Sequence, residues 1–373
     1  VSESADTVGV DDGDTESDAT YTLESVRTTP GRGLLVDLVS TYSPSGEEGP
    51  AVDHLVEFFD AHDREVFVDA VGNVRAPADD AVLLTSHVDT VPGEISVRVA
   101  DGDEELDAEG PVLWGRGSVD ATGSLAAMAH AAVQTGVSFV GVVGEEVDSR
   151  GAHHLVTDRE APEAVVNGEP SGWDAVALGY RGLVAGEYTV STESAHGARP
   201  DADAIDHATA WWTTVREVVD EESGGGFEAI TPRSLAIDGG LADDGESVEA
   251  SMSVRFRVPP TATTESVQTL VESTTEAGHV EWQSATPPLV GSARSAVATA
   301  FRGAIRRAGG TPRHLHKTGT ADANHYAEAW DVPVVTYGPG DASLDHTPTE
   351  RLPLTEFDRA TDVLVAVCDR LTE

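Results

Sequence analysis

Residues 81–89 read AVLLTSHVD, residues 122–136 read TGSLAAMAHAAVQTG, and residues 137–146 read VSFVGVVGEE. The outer two are short apolar runs, and the middle one has the length and composition of a helix. Alternation of strand and helix predicts an α/β sheet covered by helices on both faces. In such sheets functional groups collect at the carboxyl ends of the strands. His87 closes the first run, and Glu145 and Glu146 directly follow the second.

The same texture continues outward. GLLVDLVSTY (33–42) and PAVDHLVEFFDAHD (50–63) read as amphipathic helices, the second with Pro near its start. SVRVADGDEELDAEGPVLWGRG (96–117) reads as an irregular hairpin, and EAVVNGEP (163–170) as a strand ending on Glu169. Between 179 and 285 the order changes to strand, helix, strand, helix, strand: LVAGEYTVST, IDHATAWWTTVREVVDE, SVEASMSVRFRVPP, TTESVQTLVEST and HVEWQSA. That order suits a small α+β domain inserted into the first. From 286 the α/β texture returns with a helix (295–310), the loop KTGTADANHY (317–326), the strand VPVVTYGPG (332–340) and a last helix (355–370). The expected organisation is a mixed-sheet α/β domain over 21–178 and 286–373, an inserted α+β domain over 179–285, and an acidic disordered tail over 1–20.

Composition narrows the function. The 373 residues carry 66 Asp plus Glu against 23 Lys plus Arg, a formal net charge of -43. Nucleic-acid recognition rests on a cationic surface, so that class is excluded. Lys317 is the only lysine. Excess carboxylate with a single lysine is the pattern expected of a halophilic archaeal protein of the cytosol. At 1 M salt the Debye length is about 3 Å, so the self-repulsion is screened. No apolar run approaches the roughly 20 residues of a membrane span, and no signal-peptide pattern opens the chain. The cytoplasm is the expected location. Cys368, the single cysteine, is expected to be a buried core thiol.

Five short motifs carry chemistry: SHVDTVPG (86–93), WGRGSVDATG (114–123), VVGEEVDSRG (142–151), NGEPSGWD (167–174) and SLDHTPTE (343–350). Each alone has a bland reading: a turn histidine, a helix-capping Asp120, exposed acidic pairs. A phosphate loop at 114–123 fails because a Walker loop needs Gly-Lys-Ser/Thr. A penicillin-binding-type serine hydrolase, suggested by the KTG of 317–319, fails because no second lysine exists for SxxK. Together the motifs place two histidines and several carboxylates at strand ends. Buried carboxylates need a cation or a proton to offset them. Mixed nitrogen and oxygen donors suit zinc, with cobalt or manganese as substitutes.

With SHVDTVPG, GRGSVDATG, GEE, GEP and a late DHTPTE in this order, residues 25–372 resemble the zinc aminoacylase and peptidase superfamily. That superfamily includes acetylornithine deacetylases, succinyl-diaminopimelate desuccinylases and carboxypeptidase G. The resemblance implies two divalent ions, with His87 and Glu169 on one, Glu146 and His346 on the other, and Asp120 bridging. It implies Asp89 as the orienter of His87 and Glu145 as general base. It makes 179–285 a lid that also forms a homodimer, with His196 of HGARP binding the developing oxyanion. GEPSGWDAVALGYRG (168–182) and KTGTADAN (317–324) are similar to the amino-group-carrier-protein lysine/ornithine hydrolases. Related deacetylases show a GTSD-like string where this chain has GTAD after Lys317. The implied substrate is therefore a carrier protein bearing lysine or ornithine. The other readings are an acetylornithine or acetyl-lysine deacetylase and a metal-binding scaffold without activity. Arg181, Arg257, Lys317, Thr320 and Asp322 are the candidate substrate-binding residues.

Overall fold

The computed structural model describes residues 21–194, 201–222, 225–243 and 245–373. The tail expected over 1–20 and His196 lie outside the described residues.

In chain order, α1 (Pro30–Val39) and α2 (Gly49–Asp60) lead into β1 (Phe67–Val68), β2 (Val74–Ala76) and β3 (Asp79–His87). The hairpin β4 (Arg98–Asp103) and β5 (Ala108–Trp114) precedes α3 (Thr122–Thr135), β6 (Val137–Val142), α4 (Arg150–Asp158), β7 (Val165–Gly168) and β8 (Ala175–Tyr180). These are followed by β9 (Gly182–Glu193), α5 (Ala204–Glu222), β10 (Thr231–Leu241), β11 (Ser247–Val258), α6 (Thr264–Glu272) and β12 (His279–Thr286). The chain closes with β13 (Leu289–Val290), α7 (Ala296–Arg307), β14 (Arg313–Lys317), α8 (Asp322–Ala329), β15 (Val334–Thr336), β16 (Arg351–Pro353) and α9 (Leu354–Thr372).

Nine strands form one mixed sheet in the order β1-β2-β6-β3-β7-β15-β8-β13, with β14 beside β8. Its centre, β6, β3, β7 and β15, is parallel; β2 is antiparallel to β6, and β8 is antiparallel to β15 and β13 but parallel to β14. Parallel strands covered on both faces read as continuous apolar runs, and β6 is buried at every position. Adjacent residues point to opposite faces. Leu84 and Phe139 accordingly pack with α1, α2, α3, α7 and α9, while Leu83 and Val140 pack with α4 and α8. α3 is buried from Thr122 to Ala132 and ends on Gly136 at φ 75°, a left-handed cap that suits glycine. Cys368 is fully buried in this core, as its apolar setting suggests, and burial pushes its thiol up to about 12.

A second, antiparallel sheet runs β10-β11-β9-β12. One face carries Val184, Tyr188, Met252, Val254 and Phe256 against α5 and α6, and Trp211 stacks on Tyr188 at 4.0 Å. It begins at Gly182 rather than 179, because residues 175–180 belong to β8 of the large sheet. Two elements differ from the sequence expectation. β10 was not anticipated: TPRSLAIDGGL is an edge strand exposed over most of its length, so no buried alternation marks it. KTGTADANHY is not wholly loop, since Lys317 ends β14 and Asp322 begins α8. β16 adds a third strand to the β4–β5 hairpin. Among the described residues, no helix is long and apolar enough to cross a membrane.

Candidate metal centre

The parallel strands end on one side, and the acidic and imidazole groups meet there. His87 is the last residue of β3 and is 1% exposed. Its Nδ1 donates to the main-chain carbonyl of Asp89 at 2.8 Å. That bond fixes the tautomer and leaves Nε2 as the donor to a metal. Nε2 lies 3.2 Å from Asp120 Oδ1 and 3.9 Å from Glu169 Oε1. The other Asp120 oxygen, Oδ2, lies 3.0 Å from His346 Nε2, which is 3.1 Å from Glu146 Oε2. One carboxylate therefore faces two histidines with two different oxygens, and each histidine has a further glutamate of its own. Ligand atoms of His87, Asp120 and Glu146 all lie within 4.8 Å of one another.

Local backbone explains the convergence. Glu169 follows Gly168, the end of β7. A Cβ at Gly168 would approach Ser86 Cβ to 2.6 Å, so only glycine lets β7 close on β3. Ser86 Oγ donates to the Gly168 carbonyl at 2.9 Å across that approach. His346 has φ 61°, a left-handed conformation that a histidine adopts at a cost.

The electrostatics ask for cations. Burial raises Glu145 and Glu169 well above the usual carboxylate range; the charge of Glu169 adds to the first, and that of Asp120 adds to the second against the opposing pull of His87. Burial also raises Glu146 and pushes Asp345 up to about 8. Burial opposes ionisation of Asp120, but its hydrogen bonds from His346 and His87 win and hold it well below the usual range. Burial opposes protonation of His87, and its bond to Asp120 with the charges of Glu169 and Glu145 raises it well above the ordinary value. Among the described residues, no arginine or lysine forms an ion pair with Asp120, Glu145, Glu146 or Glu169. Asp345 Oδ1 is buried without a hydrogen-bond partner. Crowded oxygens beside two imidazoles fit hard or borderline divalent ions.

Protonation gives a directional test. The hydrogen bond to Asp120 raises His346 to about 9, so in the metal-free protein it holds a proton at pH 7. A metal ion bound through His346 Nε2 would have to displace that proton. Zinc binding should therefore release protons, and apparent affinity should rise from pH 7 to pH 9. Calorimetry in buffers of different ionisation enthalpy reads the proton count. Affinity independent of pH over that window would contradict the reading.

Other expected site residues fall into place unevenly. The Asp89 carboxylate does not orient the His87 ring, being 3.7 Å from Nδ1. It accepts instead from the main-chain N–H groups of Gly144, Glu145 and Glu146 and from Ser45 Oγ. The sharp turn after β6 leaves those three N–H groups pointing inward, and the carboxylate satisfies them. Lys317 Nζ donates to the carbonyl of Pro170, next to Glu169. Arg257 Nη1 reaches from β11 to Thr320 Oγ1 at 3.1 Å. Arg181 differs from expectation: it is 8% exposed and donates to the Thr318 and Ala229 carbonyls and to Thr231 Oγ1, so it ties the two sheets together. Asp322 is 2% exposed at the start of α8, and burial pushes it up to about 6. Glu350, which sequence reasoning left unassigned, is fully buried beside Asp120.

The fold and this cluster define a metal-dependent hydrolase. The family model described as Peptidase family M20/M25/M40 matches residues 83–370, and the chain belongs to that family, whose members hydrolyse amide bonds. A Thermococcus kodakarensis protein named as a LysW-lysine/LysW-ornithine hydrolase is 37% identical over 343 residues, covering 91% of each chain. The LysW-lysine hydrolase of Deinococcus radiodurans is 36% identical over 363 residues, covering 91% of this chain and 96% of its own. The M20 family metallo-carboxypeptidase Sso-CP2 of Sulfolobus solfataricus superposes with a TM-score of 0.71 at 16% identity, covering 91% of this chain and 99% of its own.

Proposed function

We propose that the protein releases lysine or ornithine from an amino-group carrier protein, in lysine or arginine biosynthesis. The bond cut is the amide joining the side-chain carboxyl of the carrier's C-terminal glutamate to the α-amino group of the amino acid. The observation that carries this reading is similarity along 91% of the chain to relatives named for that reaction.

Two divalent ions, zinc with cobalt or manganese as substitutes, would sit between His87 and Glu169 and between Glu146 and His346, with Asp120 shared. The two-sided contact of Asp120 supports that assignment. Ions held there would supply Lewis acidity, polarising a carbonyl and lowering the pKa of water. Glu145 takes a proton from the attacking water and returns it to the leaving amine. His196, on the family resemblance, stabilises the oxyanion. The second sheet serves as lid and homodimer surface, and the enzyme works in a salt-rich cytoplasm.

Substrate carboxylates have cationic partners available. Lys317 is held beside Glu169 through the Pro170 carbonyl, and Arg257 is bonded to Thr320, three positions further along that loop. Arg233 and Arg255 face one another directly across β10 and β11, on the face that also carries Arg257. Like charges directly opposite destabilise a sheet, and an anionic carrier segment would offset that cost.

Lys317→Ala and Lys317→Arg test the substrate in molar KCl. Loss of one charged contact is expected to raise KM and lower kcat/KM on the carrier conjugate by about 10–100-fold, with an unchanged melting temperature. Wild-type kinetics in both variants would remove Lys317 from the site. Faster cleavage of free acetylornithine than of the conjugate would make the enzyme a deacetylase.

A further inference from the structure

We infer that Arg116 and Glu350 are positioning residues whose ion pair sets the geometry of the metal centre. The inference rests on the metal assignment above and not on the carrier-linked substrate. Glu350 is fully buried, and each of its oxygens has a defined partner. Oε1 accepts from the main-chain N–H groups of Val119 at 2.9 Å and Asp120 at 3.0 Å. Oε2 accepts from Arg116 Nη1 at 2.9 Å. Arg116 Nη1 also donates to the Thr347 carbonyl at 3.1 Å, and Arg116 Nε to the Gly93 carbonyl at 3.1 Å.

Those partners are not a random sample of the surface. Gly93 closes the segment that begins with His87. Val119 and Asp120 are the turn that presents the shared carboxylate. Thr347 follows His346 directly. One ion pair thus joins the three loops that bring His87, Asp120 and His346 together, through bonds that span up to 234 positions in sequence. Hydrogen bonds to the Asp120 N–H fix the direction in which its side chain leaves the backbone. The bonds to Gly93 and Thr347 set the distance between the two histidine-bearing loops.

A buried ion pair is a poor device for stability, because desolvation consumes much of its attraction and apolar replacements are often neutral. It is a good device for geometry, since its partners and directions are fixed. Partners that orient ligands from behind are worth about 10–100-fold in metal affinity.

The test measures zinc affinity of the full chain by chelator competition in molar KCl, alongside the melting temperature of the metal-free protein. Glu350→Gln and Arg116→Met should each bind zinc about 10–100-fold more weakly. Each single variant leaves a buried charge unpaired and should melt lower. The double variant Arg116→Met/Glu350→Gln removes both charges. It should recover thermal stability without recovering affinity, which separates positioning from simple support. It also carries the test if a single variant fails to fold. Arg116→Lys, which keeps the charge but not the fork of donors, should fall between wild type and Arg116→Met. Zinc affinity of the double variant within twofold of wild type would overturn the inference alone. Wild-type protein that binds no zinc would overturn the metal assignment and this inference with it.

Discussion

Glu145→Gln is expected to lower kcat by about 10²–10⁴ while metal content and melting temperature stay at wild-type values. The amide keeps the shape and one acceptor oxygen of the carboxylate and removes its capacity to take a proton. The main-chain N–H of Glu145 bonds to Asp89, and that contact does not depend on the side chain. The neighbouring substitution is the control. Glu146 Oε2 lies 3.1 Å from His346 Nε2, so Glu146→Gln is expected to lose metal first and activity as a consequence. Metal analysis beside steady-state kinetics separates the two. Metal loss in Glu145→Gln with metal retained in Glu146→Gln would mean that the two side chains exchange roles.

Asp120→Ala is expected to abolish turnover, by at least about 10⁴-fold, because a bound cation strongly lowers the pKa of water and this carboxylate faces both His87 and His346. Chelation of the wild-type enzyme should have the same effect, with activity restored by zinc, cobalt or manganese. Restoration is the informative half, since it excludes denaturation as the cause of the loss. The variant leaves His87 and His346 without the acceptor between them, so bound metal should drop as well. Full activity in metal-free wild-type protein would end the whole reading.

His87, Glu145, Glu146 and Glu169 were legible as candidates because each ends or closely follows an apolar run. AVLLTSH and VSFVGVVGEE announce strands whose ends are buried, and a buried His or Glu needs a partner. What was not legible is side-chain direction. HVD shows that His87 and Asp89 share a strand face, yet the ring bonds to the Asp89 carbonyl and the carboxylate turns to the loop after β6. Arg181 reads in sequence as a group to grip a substrate carboxylate, and only the packing of two sheets shows its Nε and Nη1 donating to the protein itself. β10 escaped because an edge strand exposed over most of its length has no buried face to create a period. α8 escaped because DANHYAEA is short and polar and follows a Gly/Thr stretch. Glu350 bonds mainly to main-chain N–H groups, which leave no mark on sequence.

His87, Asp120, Glu146 and Glu169 all precede the second sheet in the chain, whereas His346 follows it. On the proposed assignment the metal centre therefore staples together stretches of chain that lie on both sides of the second sheet. An ion that binds only the folded arrangement stabilises it by mass action. Added metal is expected to raise the melting temperature of the full chain in step with its concentration.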